Sequence, residues 1–215
     1  MELEGKNIEA KEIKKTGTTT VALKCKDAVV FAADMRASSY TFIAAKNVDK
    51  IHPIDNHIAM TIAGSVGDAQ ALVRWMSSSA KEYKIREGRP ITIKAASNLL
   101  SNVLFNYKYY PFWVQLILGG YDGKPAIYEL DAVGGVTSED FISTGSGSPM
   151  VYGVLESEYK PDMDLDDAVK LAAKCVHIAM KRDCATGDGI NIVTVTKDGY
   201  RKFSQDEVLK IVGKK

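Results

Sequence analysis

The sequence predicts an α+β fold of two packed β-sheets with helices layered outside, because its hydrophobic periodicity changes in a definite order. Strand-like runs come first and two long helical stretches interrupt them; strands, two further helices and a closing hairpin follow. No linker-like or repeated stretch divides the 215 residues, so a single domain with a substantial core is expected over 18–215.

Residues 18–26 and 28–33 are β-rich runs around Lys26-Asp27, which reads as a tight hairpin. Strands are read at 40–45 and 57–63, with 47–55 as a polar connection that carries Lys50. Ser65-x-x-Asp68 resembles a capping box opening a helix, in which Ala69, Leu72, Val73 and Met76 recur at helical spacing. Gly88-Arg89-Pro90 punctuates, and a second helix runs over about 90–107 on a stripe of Leu99, Leu100, Val103 and Leu104. Strands at 112–118 and 126–130 flank a glycine-rich turn at 119–123, and 140–143 leads into Gly145-Ser146-Gly147-Ser148-Pro149. A short helix at 150–157, a long one at 164–182, a hairpin of 190–196 with 200–203 and a terminal helix from Asp206 complete the chain.

Composition excludes several classes of function. With 28 basic against 27 acidic residues the net charge is +1, which provides no electrostatic footprint for nucleic acid or an anionic membrane. No apolar run approaches a membrane span, and residues 1–16 lack the apolar centre of a secretory signal. Cys25, Cys175 and Cys184 are odd in number and lack Cys-x-x-Cys spacing, so buried free thiols in a reducing compartment are expected. His52, His57 and His177 form no ligand pair at helical spacing and read as surface or satisfied histidines; no metal or cofactor is expected. Gly145-Ser146-Gly147 lacks the Lys-Ser/Thr of a phosphate-binding loop, and no Gly-x-Ser-x-Gly elbow in a strand-to-helix context supports a Ser-His-Asp triad.

The chemistry centres on Gly17-Thr18-Thr19-Thr20-Val21. A threonine hydroxyl needs a base, and a freed α-amine on the same residue is one, titrating near ~7.7–8.0. Cleavage before Thr18 would make that residue both nucleophile and base, with residues 1–17 as a propeptide that blocks the site until removed. Gly17 suits the cut, because a residue without Cβ permits the strained geometry in which Thr18 attacks its own preceding carbonyl.

Taken singly, the accompanying motifs read as ordinary loop, turn and core residues. Taken together, Phe31-Ala32-Ala33-Asp34-Met35-Arg36, Asp49-Lys50-Ile51, the run Met60 to Asp68, Thr144-Gly145-Ser146-Gly147-Ser148 and Arg182-Asp183-x-x-Thr186-Gly187 have an order that resembles the β subunits of archaeal-type 20S proteasomes, members of the N-terminal-nucleophile hydrolase superfamily. The resemblance covers 18–215 and implies a four-layer αββα sandwich of two antiparallel sheets flanked by helices. It implies Thr18 as nucleophile, Lys50 as a buried cation favouring the alkoxide, and Asp34 as the carboxylate holding that lysine. Gly64 corresponds to the oxyanion N–H donor. Ser146, Asp183 and Thr186 correspond to the polar cluster around the amine, although threonine stands at 186 where serine is common. Ala37, Val48, Ile62 and Val66 correspond to an apolar specificity pocket, from which cleavage after hydrophobic residues is expected. The implied partners are α subunits in outer rings, other β subunits in seven-membered rings, an ATPase regulatory complex and unfolded polypeptide substrate, in the cytoplasm. A ring subunit that only scaffolds, and a related amidase or bacterial two-ring protease, are the competing readings.

Overall fold

A computed structural model describes residues 17–213, so the expected propeptide, apart from Gly17, lies outside the described residues. One five-stranded antiparallel sheet has the order β10-β1-β2-β11-β12, built from β1 (Thr20–Cys25), β2 (Ala28–Asp34), β10 (Phe141–Thr144), β11 (Ile190–Thr196) and β12 (Gly199–Lys202). The other has the order β5-β6-β7-β8-β9, built from β5 (Ile51–Asp55), β6 (Ile58–Gly64), β7 (Val114–Tyr121), β8 (Pro125–Leu130) and β9 (Val136–Thr137). A separate hairpin pairs β3 (Ala37–Ser39) with β4 (Phe42–Ala45). The helices are α1 (Val66–Glu87), α2 (Ile93–Asn106), α3 (Ser148–Glu158), α4 (Leu165–Ala179) and α5 (Gln205–Val212).

Strand alternation sorts the core into three layers of side chains. Along β2, Ala28, Val30 and Ala32 face α4 while Val29, Phe31 and Ala33 face the opposite sheet. Along β7, Leu116 and Leu118 pack toward α1 and α2 while Ile117 joins Phe31 between the sheets. The expected four layers are therefore present: α3, α4 and α5, then a sheet, then the second sheet, then α1 and α2. Because both faces of the central strands are covered, their sequences read as unbroken apolar runs.

Several boundaries differ from the sequence reading. The second half of 47–55 is strand β5, whose Pro53 is tolerated because β5 is an edge strand. Residues 40–45 divide: Tyr40 takes φ +54 in a two-residue turn between β3 and β4, where no glycine or asparagine marks it. Gly119 and Gly120 belong to β7, not to the turn. A Cβ at 120 would overlap the His57 carbonyl, and one at 119 would lie 2.7 Å from Ile127 Cγ2. These glycines mark close approach of neighbouring strands. Ser65 caps α1 by accepting the Asp68 N–H at 3.5 Å, but Asp68 does not complete a capping box; its Oδ2 accepts Trp113 N–H at 3.0 Å. The genuine capping box is Ser204 with Glu207, at the start of α5.

The antiparallel registers set one end of the sandwich. Thr20 faces Thr144 on β10 and Ala33 on β2; continuing those pairings outward places Thr18 beside Ser146 and Thr19 beside Asp34. On the second sheet, Ile51 faces Thr61, so Lys50 lies opposite Ile62 at the same end. Buried Thr20 joins the two sheets there: its hydroxyl contacts Thr144 on the neighbouring strand of its own sheet at 2.7 Å and Thr61 on the other sheet at 3.2 Å.

Candidate active site

Thr18 is 6% exposed and lies where the two sheets meet. Its hydroxyl donates to the Gly17 carbonyl at 2.7 Å, the carbonyl of the bond expected to be cut. Gly17 N–H donates to Ser38 Oγ at 3.0 Å, which fastens the residue before the cut to the β3 hairpin. A Cβ on residue 17 would overlap Ala185 Cβ, so space here demands glycine.

The nitrogen of Thr18 lies 3.2 Å from Ser146 Oγ, which accepts its N–H. Ser146 Oγ donates to Asp183 Oδ2 at 2.6 Å; the Thr18 carbonyl at 3.3 Å is the weaker, uncharged alternative. Asp183 follows α4 and is held by its own loop, Oδ1 accepting Ala185 N–H at 3.1 Å. The Thr186 hydroxyl donates to Asp183 Oδ2 at 2.5 Å and contacts Thr19 Oγ1 at 2.7 Å. Thr186 thus braces the carboxylate that Ser146 uses. Its extra methyl group is buried with the side chain, which is 1% exposed.

On the other side, Asp34 is 0% exposed and its carboxylate is fully subscribed. Oδ1 accepts Lys50 Nζ at 2.6 Å and Thr19 N–H at 2.9 Å; Oδ2 accepts Gly187 N–H at 3.0 Å and Arg36 N–H at 3.1 Å. Three backbone donors and one ammonium satisfy both oxygens of a carboxylate that burial would otherwise penalise heavily. Lys50, 4% exposed, has its pKa lowered from the ordinary lysine value by burial; the charge and hydrogen bond of Asp34 oppose that, and Asp183 adds to the opposition. Arg36 reinforces the loop by donating from Nε to Asp188 at 2.6 Å and from Nη1 to the Cys184 carbonyl at 2.7 Å.

Gly64 ends β6 with φ +110, and a Cβ there would overlap the Trp113 carbonyl. Ile62 N–H donates to the Lys50 carbonyl on the β5 side. By strand alternation Gly64 N–H faces the same side, beyond the start of β5. There a cavity of about 220 Å³ is lined by Gly17, Thr18, Lys50 and Gly64 together with Ala37, Val48, Ile62 and Val66. All four expected pocket residues share that one cavity with Thr18. Ala44, Ala63 and Ala69 also line it, and no periodicity in the sequence singles them out. Ser38 and Thr19 were likewise invisible, since register alone brings them to Gly17 and Asp34.

Two expectations outside the site change. Cys25 and Cys175 are buried, with the Cys175 thiol pushed up to about 12 by burial, but Cys184 is exposed in the loop after Asp183. His57 Nε2 meets the Ile91 carbonyl at 2.7 Å, whereas His52 Nε2 is buried without a hydrogen-bond partner among the described residues. Burial lowers the His52 pKa and keeps the ring neutral. Among the described residues, no helix is long and apolar enough to cross a membrane.

The chain is also similar in sequence to known proteins. The chain is 50% identical over 198 residues to proteasome subunit beta of Archaeoglobus profundus, covering 91% of this chain and 92% of that one. It is 46% identical over 196 residues to proteasome subunit beta 2 of Pyrococcus furiosus, covering 91% and 95%. It is 50% identical over 198 residues to proteasome subunit beta of Methanothrix thermoacetophila, covering 91% and 96%. Residues 14–195 match the family described as proteasome subunit, and with that span and those identities the chain belongs to the proteasome subunit family.

Proposed function

We propose that the chain is a catalytic β subunit of a 20S proteasome core particle, a threonine endopeptidase that degrades unfolded polypeptide to peptides. The observation that carries the reading is the placement of Thr18 between two charge systems, Ser146–Asp183 at its nitrogen and Lys50–Asp34 beside its cavity. Residues 1–17 act as a propeptide, and 18–215 form the functional domain. The chain assembles with α subunits and with further β subunits in seven-membered rings, receives substrate from an ATPase regulator, and works in the cytoplasm.

The chemistry follows from the residues. Once the bond before Thr18 is cut, the free amine takes the Oγ proton as Oγ attacks the substrate carbonyl. The tetrahedral oxyanion is met by Gly64 N–H, and the Lys50 cation lowers the energy of the hydroxyl's developing negative charge. Collapse breaks the C–N bond, the departing nitrogen takes the proton from the Thr18 ammonium, and the acyl group stays on Oγ as an ester. Water, deprotonated by the same amine, then hydrolyses that ester. Ser146 and Asp183 orient the amine throughout. Removal of the propeptide turns the same hydroxyl on Gly17, whose carbonyl it already contacts. The Thr18 nitrogen is still an amide and cannot serve as base, so a water takes the Oγ proton. The Gly17 acyl group shifts from nitrogen to Oγ as the C–N bond breaks and the nitrogen is protonated, and water hydrolyses the resulting ester. The cavity beside Lys50 offers mostly small apolar side chains, which favours cleavage after hydrophobic residues.

Intact mass and peptide hydrolysis test this on the assembled particle. The natural chain is expected to lose residues 1–17 and cleave after leucine in preference to arginine. Thr18→Ala should keep its propeptide and lose hydrolysis by at least about a thousandfold. Full hydrolysis by a chain that still begins at Met1 would overturn the proposal.

A further inference from the structure

A second cavity, of about 480 Å³, opens on Thr18 and Gly64 and is lined by Trp113, Val114, Gln115 and Ala132, with Ser146 at its edge. It shares Thr18, Ala63 and Gly64 with the first cavity, but Gly17 and Lys50 line only the first. Gly17 is the acyl side of the bond before Thr18, so its position identifies the first cavity as the acyl side of any peptide attacked there. The chain beyond a cut bond must leave in another direction. The second cavity offers that direction, reaching the nucleophile past the oxyanion donor.

With the leaving side of the cut bond in this cavity, we infer that Trp113 makes it select apolar over acidic or very small residues. The inference deepens the peptidase reading and rests on it. Trp113 is 49% exposed, so half its surface is available to a ligand. Its backbone is held on both sides: the main-chain N–H donates to Asp68 Oδ2 at 3.0 Å and the carbonyl accepts Ser65 N–H at 2.7 Å, both at the start of α1. With the backbone held, only the two χ angles of the indole remain to be ordered on binding, a small entropy cost for so large a surface. Gln115 spends its Oε1 on Gly145 N–H at 3.1 Å, which leaves its NH2 to donate to a passing peptide carbonyl. No side chain lining the cavity carries a charge; the cation a carboxylate could meet there is the protonated Thr18 amine, the form that cannot act as base, so binding it works against the reaction.

The test uses the mature, assembled protein and internally quenched peptides that share one acyl half and differ only in the residue after the cut: phenylalanine, leucine, glycine or aspartate. Phenylalanine and leucine are expected to exceed glycine and aspartate by about three- to tenfold in kcat/KM. Trp113→Ala should bring that ratio close to one, and Trp113→Phe should keep most of it. The ratio of leucine to arginine before the cut should stay as in the natural chain. Ala132→Glu, which places a carboxylate in the same cavity from another wall, should shift preference toward lysine after the cut. Equal turnover of all four peptides by the natural chain overturns the inference and leaves the proposed function intact. So does a leaving-side preference that neither Trp113→Ala nor Ala132→Glu alters. Absence of any peptide hydrolysis overturns both.

Discussion

At the scale of single residues, the site sets two proton equilibria against each other, and their signs differ. The Thr18 amine must be neutral to act as base, so activity should rise as pH climbs through roughly 7.7–8.0. Lys50 must stay charged, and burial lowers its pKa, so activity should fall again at a pH below that of an ordinary lysine. For folding, the same lowered pKa acts in the opposite direction. Between the folded pKa of Lys50 and its unfolded value near ~10.4, the unfolded chain binds more protons, so Lys50 contributes increasing stability as pH rises through that window. Asp34 provides the handle. Asp34→Asn removes the charge that opposes the desolvation of Lys50, so the alkaline limb of kcat/KM should move to lower pH. Stability should also drop by about 3–5 kcal/mol at neutral pH, because a buried ammonium is left without its partner. A pH–rate profile and a denaturation midpoint, each run on both forms, check the two signs; an alkaline limb that does not move would remove Lys50 from the mechanism.

At the scale of elements, glycines that look alike in sequence separate by what surrounds them. Gly120 lies inside β7, where an added Cβ would overlap the His57 carbonyl, so Gly120→Ala should destabilise by about 1–3 kcal/mol. Gly153 lies inside α3 with open space around its Cβ position, so Gly153→Ala should stabilise by about 0.5–1 kcal/mol. Denaturation midpoints of the two variants should move in opposite directions. The same contrast explains what could be read from the chain beforehand. The long helices were legible because Leu72, Met76, Leu100 and Leu104 recur at helical spacing, and the strand at 28–33 because six apolar residues stand together. The edges of β5 and β7 were not, since Pro53 and Gly119-Gly120 carry the ordinary signals of a break and only their neighbours reveal otherwise. Within the site, Thr18, Asp34, Lys50, Ser146 and Asp183 stand in motifs. Trp113, Gln115 and Ser38 stand in none, because what brings them to Thr18 is strand register.

At the scale of the molecule, the site belongs to neither sheet alone. Thr18, Asp34, Ser146 and Asp183 hang from one sheet, whereas Lys50 and Gly64 hang from the other. The distance from nucleophile to cation is therefore set by how the sheets pack, through the layer containing Val29, Phe31, Ile117 and Ile127. Phe31 is fully buried there, with Gly119 beneath its ring, whereas Leu100 is equally buried between α2 and the outer face of its sheet. Both truncations to alanine should cost about 2–5 kcal/mol. Their effects on catalysis should differ. Leu100→Ala removes packing that does not lie between the two halves of the site, so the folded fraction should keep its kcat/KM within about twofold. Phe31→Ala lets the sheets close toward each other, and a displacement near 1 Å at the reacting atoms can cost about a hundredfold. Thermal inactivation measures the shared loss of stability, and kcat/KM well below the transition measures what is not shared. If both variants keep natural kcat/KM, the site is held by its local hydrogen bonds alone and sheet packing plays no part in aligning it.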